Sequence, residues 1–312
     1  QDSGPRLLSS PPPRARNGDV VRDLSQDRDE IESRGRTMNH RSILLATDLS
    51  ARCDRPLDRA LMLAKEWRVK LVLLYVMDPG LANDPVTNIR DIELKIADQL
   101  PKTKVDVELL VKFGDVATTV IETAKTKKCD LIVTGVARYN SIGDIILGSP
   151  VDQIIRNASV PVLVVKRRPK HAYKNILVAT DFSDCSLQAL NAAAELFPDP
   201  RLHLVHAYQE PYSAWLSSDQ VAQDVKSEEQ TAMTRFLAKR AISDAVFDRV
   251  NGSIEKGDLG TVLFRKIAAT KSDLVVLGTH GRGALSRAAL GSNAQQVLGW
   301  VEEDVMMVRE RK

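Results

Sequence analysis

Residues 278–293, GTHGRGALSRAALGSN, put glycines, arginines, serines, a histidine and an asparagine into one loop after an apolar, β-branched run. Such a set suits an anion. Gly278 and Gly281 let backbone approach a ligand with no Cβ in the way and make a positive φ accessible. Gly291, Ser292 and Asn293 then open the helical stretch AQQVLGWV, whose first amides are unpaired and lie at the positive end of the helix dipole. Ser292 and Asn293 add side-chain donors, and Arg282 and Arg287 add positive charge. A plain turn with Ser292 or Asn293 as helix cap fits the same letters. The loop is not a GxxxxGK-S/T phosphate loop, and Ser286 stands where a dinucleotide fingerprint has its last glycine.

A second candidate group lies in VATDFSDC, residues 178–185. Ser183 or Asp184 suits a helix cap, whereas Asp181 stands before the cap and needs donors or a cation if it is half-buried. His203 and His206 are three apart on a strand, so they face opposite ways and cannot share a metal. Cys53 and Cys185 fall near helix starts, where the dipole can lower a thiol pKa, although ordinary small helix residues account for them better. No Ser-His-Asp order and no metal-ligand cluster emerges, so no catalytic residue and no side-chain metal site is assigned.

The elements that position these residues are written twice in the chain. RSILLATDLSARCD at 41 is matched by KNILVATDFSDCSL at 174, and KFGDVATT at 112 by EKGDLGTV at 255. In the first copy, SILLAT, VKLVLLYV, KVDVELLV, DLIVTG and PVLVVK read as strands, and their near-continuous Val, Ile and Leu implies cover on both faces. Helical periodicity between them, as at Leu57, Ala60, Leu61, Ala64 and Trp67, gives a doubly wound parallel α/β sheet with its crevice at the carboxyl ends of the strands. Two tandem domains are expected, 39–168 and 169–312, after a disordered extension at 1–38 whose first methionine is Met38. The extra length of the second copy is assigned to PYSAWLSSDQVAQD.

The chain of 312 residues is 43% hydrophobic, 27% charged and 4% aromatic, with a net charge of +3 spread along its length. That balance argues against a nucleic-acid or anionic-membrane face. Three cysteines without a CxxC pattern, no apolar run of membrane-spanning length and no signal-peptide pattern lead to a cytoplasmic expectation.

The spacing Gly278-x2-Gly281-x9-Gly291-Ser292 resembles the G-x2-G-x9-G-S/T nucleotide signature of universal stress protein domains. ILVATDFS, HLVHAY, KGD and SDLVVLGTHGRG are similar to that family's other blocks, and the likeness spans both copies, as in its tandem class. The resemblance implies five-stranded domains of order 3-2-1-4-5, pairing between domains or between chains through the last strands, and a regulatory role in stress survival with an unidentified protein partner. It implies ATP, with Mg²⁺ on the far side of the phosphates. Ala179 and Asp181 would lie at the adenosine end, the Ala207 backbone at adenine, Leu277, Gly278, His280 and Gly281 along ribose and phosphates, with Arg282 nearby, and Gly291, Ser292 and Asn293 as phosphate donors.

The first copy departs from the signature. Asp48, Gly135, Gly148 and Ser149 remain, but Arg138 replaces the second glycine and Pro150 removes a backbone donor. One nucleotide per chain is expected. Two other classes stay open: a slow ATPase or autophosphorylating enzyme using the same residues, and a scaffold that binds no nucleotide.

Overall fold

The structure is a computed structural model that describes residues 42–50, 53–83, 88–136, 138–139, 145–146, 148–209, 219–239, 244–281 and 290–310. The expected extension at 1–38, the 211–218 part of the inserted segment, Arg282, Arg287 and the side chain of Arg138 lie outside the described residues.

Ten strands form one sheet: β1 (Ser42–Thr47), β2 (Lys70–Met77), β3 (Val107–Phe113), β4 (Leu131–Thr134) and β5 (Val162–Val164) in the first half, β6 (Asn175–Ala179), β7 (Arg201–Tyr208), β8 (Val250–Lys256), β9 (Leu274–Gly278) and β10 (Asp304–Val308) in the second. Their order is β8-β7-β6-β9-β10-β5-β4-β1-β2-β3. Each half therefore has order 3-2-1-4-5 with parallel neighbours, as expected. A two-residue antiparallel ladder, Arg138–Tyr139 with Ile145–Ile146, stands apart.

Alternation explains the apolar strands. Ile43 and Leu45 face one core layer and Leu44 the other; Ile176 and Val178 oppose Leu177 and Ala179 in the same way. Both faces are covered by crossover helices, among them α1 (Asp54–Trp67), α2 (Ile89–Gln99), α3 (Val116–Thr126) and α4 (Ser149–Asn157), then α5 (Asp184–Leu196), α6 (Asp219–Leu237), α7 (Leu259–Thr270) and α8 (Ser292–Trp300). The repeated Gly-Asp before α3 and α7 is a helix start. Gly114 and Gly257 hold φ of 148° and 141°, and Asp115 and Asp258 cap by accepting from the amides of Thr118 and Thr261, both at 2.9 Å. Among the described residues no helix is long and apolar enough to cross a membrane.

The halves join at their fifth strands, which pair antiparallel within the chain, Val305 with Val164, Met306 with Leu163 and Met307 with Val162. Beside this seam lies a buried polar cluster. Asp304, 1% exposed, accepts from Arg59 Nε at 3.2 Å and Tyr173 Oη at 2.6 Å through one oxygen, and from the amides of Lys166 and Arg167 at 2.9 and 3.1 Å through the other. The Arg59 guanidinium also stacks 4.0 Å from the Tyr173 ring centre and donates to His171 O at 3.0 Å. The Lys166 ammonium donates to Leu298 O and Val301 O at 2.9 and 2.6 Å, at the carboxyl end of α8.

Removing Asp304 leaves Arg59 buried and uncompensated, so Asp304→Ala should cost about 3 kcal/mol or more in urea unfolding. Burial lowers the Lys166 pKa to about 7, against the nearby Asp304 charge that raises it. Between pH 7 and 10.5 the unfolded chain then binds more protons here than the folded one, so stability rises with pH, by on the order of 1 kcal/mol per unit at most. Unfolding curves of wild type and Lys166→Met at pH 7 and pH 9 should differ by that slope, the variant lacking it.

Candidate functional site

At the carboxyl ends of β6, β7 and β9, where the strand order of the second half reverses, lies a cavity of about 470 Å³. This is within the usual range of ligand pockets, about 300–1,000 Å³. It is lined by Ala179, Asp181, Ala207, Leu277, Gly278, His280, Gly281, Gly291, Ser292 and Asn293, which are the sequence candidates of this half apart from Arg282. Four β-strand and helix ends thus bring one set of residues together from positions 179 to 293.

The turn after β6 is built by its own side chains. Thr180 Oγ1 accepts from the Phe182 amide at 2.9 Å, Asp181 Oδ1 from the Ser183 amide at 3.1 Å, and Phe182 sits at φ 64°. Ser183 then caps α5 by accepting from the Ser186 amide at 3.1 Å. The first half repeats the device: Leu49 is at φ 58°, Thr47 Oγ1 accepts from its amide at 3.0 Å, and Asp48 accepts from Ser50 at 2.9 Å. A strained residue held identically in two copies fixes where each aspartate stands.

Positive φ, one of the two roles expected of Gly278 and Gly281, is not used. A Cβ on Gly278 would stand 2.7 Å from Cys185 Sγ and 3.1 Å from its carbonyl carbon, so this glycine lets β9 pack against α5. A Cβ on Gly281 would stand 2.6 Å from Asp181 Oδ2, so this one admits the aspartate. Gly291 has φ −61° and a Cβ there would come no nearer than 3.4 Å to Thr279 O, an ordinary contact. Fold geometry does not require glycine at 291.

Thr279, 1% exposed, holds the loop's two ends: its amide donates to Val308 O and its carbonyl accepts from the Gly291 amide, both at 2.9 Å. That places the start of α8 beside the end of β9. Neither Ser292 nor Asn293 caps α8; its N-cap is Gly291, with no side-chain cap bond, whereas α2, α3, α5 and α7 are all capped by side chains. His280 donates or accepts at Nδ1 with Thr279 Oγ1 at 2.7 Å, and its Nε2 is buried without a partner among the described residues. Among the described lining residues there is one carboxylate, Asp181, and no Lys or Arg. The amides at the start of α8 bring the positive end of its dipole to the cavity.

Thr180, Ser186, His206, Leu259, Thr279 and Ala294 also line the cavity, Thr180 at the rim where the end of VATDFS places it. His206 is a half-buried residue at the rim. Its Nδ1 faces Thr180 O at 2.8 Å, its Nε2 faces Glu229 of α6 at 3.3 Å, and its ring lies 4.2 Å from that of Phe182. His203 is on the opposite face, near Asn175, with its pKa lowered by burial. The Cys53 thiol, weighed for a lowered pKa, is instead pushed up by burial and by its bond to Asp48 at 3.0 Å.

The first half has a smaller cavity of about 230 Å³ in the equivalent place. Asp48, Gly135 and Gly148 line it, with Pro150 at the start of α4, while Ser149 is not among its described lining residues. Here Gly148 does hold φ 80°.

The family model described as the universal stress protein family matches residues 39–166 and again 172–309. A universal stress protein of Methanocaldococcus jannaschii is 31% identical over 42% of this chain and 85% of its own length. One of Mycolicibacterium smegmatis is 24% identical over 86% of this chain and 97% of its own. Among solved structures, a protein of unknown function from Pseudomonas aeruginosa shares the fold with a TM-score of 0.64 at 22% identity, covering 88% of this chain and 94% of that one. A universal stress protein of Archaeoglobus fulgidus gives 0.62 at 21% identity, over 86% and 98%.

The two glycines separate experimentally. Gly278→Ala should lower thermal stability clearly, because backbone of α5 must move. Gly291→Ala should stay within about 0.5 kcal/mol of wild type in denaturant unfolding.

Proposed function

The chain belongs to the universal stress protein family, and on that premise we propose that its second half holds ATP and that occupancy serves a regulatory role in the stress response rather than turnover. One observation carries the reading: the signature residues Gly278, Gly281, Gly291 and Ser292 line a single cavity that ends on the uncapped amino terminus of α8. Amides and dipole there favour an anion without needing a cationic side chain. His280 also lines the cavity, and its Nε2 has no partner among the described residues, so a small turn of the ring would offer ribose or phosphate one more polar contact. The Ala179 and Ala207 side leaves room for a flat, largely uncharged base.

Mg²⁺ fits this donor set only as a companion of the phosphates. Asp181 is the one described carboxylate in the lining, and Mg²⁺ commonly takes one or two carboxylates plus phosphate oxygens and water. Its chemistry there would be charge neutralisation of the triphosphate. The one hydroxyl beside an imidazole among the described lining residues is Thr279, 2.7 Å from His280 Nδ1, and it is 1% exposed, which supports binding over catalysis. By the same reading the domains are 39–168 and 169–312, with the first half holding no triphosphate because Pro150 removes an amide at the start of α4.

Calorimetric titration of the full chain with MgATP should give one site per chain. Gly291→Ala, neutral for the fold, should weaken it at least about tenfold by crowding the phosphates, and Ser292→Ala about three- to tenfold through a lost donor. Two sites, or unchanged affinity in both variants, would overturn this assignment. Phosphate release lost in Ser292→Ala would favour the enzymatic alternative.

A further inference from the structure

The cavity of the first half differs from its twin in chemistry as well as in size. Strand register and helix starts pair Val76 with Ala207, Val151 with Ala294 and Pro150 with Asn293; the shared Asp-Leu-x-Val-x-Gly ends of β4 and β9 pair Val136 with Thr279. Each exchange makes the first cavity more apolar, and two add bulk. One exchange runs the other way: Thr134 stands where the second half has Leu277. Thr134 is 2% exposed, lines the cavity, and its hydroxyl has no hydrogen-bond partner among the described residues.

We propose that this cavity is a second ligand site, for a small, uncharged, mostly apolar ring compound carrying one hydroxyl or comparable group that hydrogen-bonds Thr134 Oγ1. Apolar contact comes from Leu74, Val76, Val120, Val151 and Ile154. Its volume of about 230 Å³ exceeds the ~150 Å³ cavity that accommodates benzene. Anions are disfavoured: no Lys, Arg or His is among the described lining residues, Asp48 is, and Pro150 removes an amide from the helix start. An unmatched buried hydroxyl costs stability that a ligand's polar group recovers. This site is independent of the nucleotide reading and stands if that reading fails.

The test uses 4-fluorophenol and fluorobenzene as probes of the full chain, followed by ¹⁹F NMR with and without MgATP. Saturable binding of 4-fluorophenol is expected, about five- to tenfold tighter than fluorobenzene. It should be lost in Val151→Phe, which fills the space, and unaffected by MgATP. Thr134→Val should raise the melting temperature while abolishing the preference for the phenol, two effects of opposite sign that a merely structural hydroxyl would not give. No saturable binding, displacement by MgATP, or a lowered melting temperature in Thr134→Val, as when the hydroxyl only holds a water, would overturn the proposal. Should Val151→Phe not fold, the near-isosteric Thr134→Val decides alone.

Discussion

The antiparallel pairing of β5 with β10 makes two sheets into one, and Asp304 is what locks it. A parallel five-stranded half ends in a fifth strand whose outer edge is unpaired, and an unpaired edge invites association. Here each fifth strand covers the other. The carboxylate of Asp304 gathers α1, the end of β5 and the connecting segment through Arg59, Lys166, Arg167 and Tyr173. Arg59, Tyr173 and the Lys166 amide are buried groups that would be costly alone, and the cluster satisfies them together.

Antiparallel joining also decides where the two cavities stand. Within each half the crevice is at the carboxyl ends of parallel strands, so reversing one half puts the cavities at opposite ends of the common sheet. Helix α8 starts at one of these ends, at Ser292, and finishes against Lys166, just beyond the end of β5. The ammonium sits where the helix dipole is negative and the cavity where it is positive, an arrangement in which both ends are favourably placed.

Much of this was legible in the letters. Two-faced apolar runs and the internal repeat were enough for the architecture, because burial on both faces leaves no other pattern. Ser183 was readable as a cap for the same local reason. The seam was not: β10 reads as one more apolar strand, and Asp304, following Glu302 and Glu303, looks like surface charge until β5 lies beside it. Glycine chemistry was legible in position and incomplete in cause, since only neighbours far along the chain show that Gly278 yields to Cys185 and Gly281 to Asp181. Thr134 and Thr279 end or follow strands as ordinary β-formers, and their polar roles come from what the fold brings near.

A seam inside one polypeptide has a consequence for how such a molecule can vary. In a symmetric pair of identical chains every substitution occurs twice and must suit both sides of a self-complementary interface. With the two halves on one chain, their encounter no longer depends on concentration, and each side of the seam can change alone. One copy is then at liberty to exchange Asn for Pro150 and Leu for Thr134 while the other keeps its glycines, so that duplication leaves a molecule with two unlike pockets and a fixed ratio of one to the other.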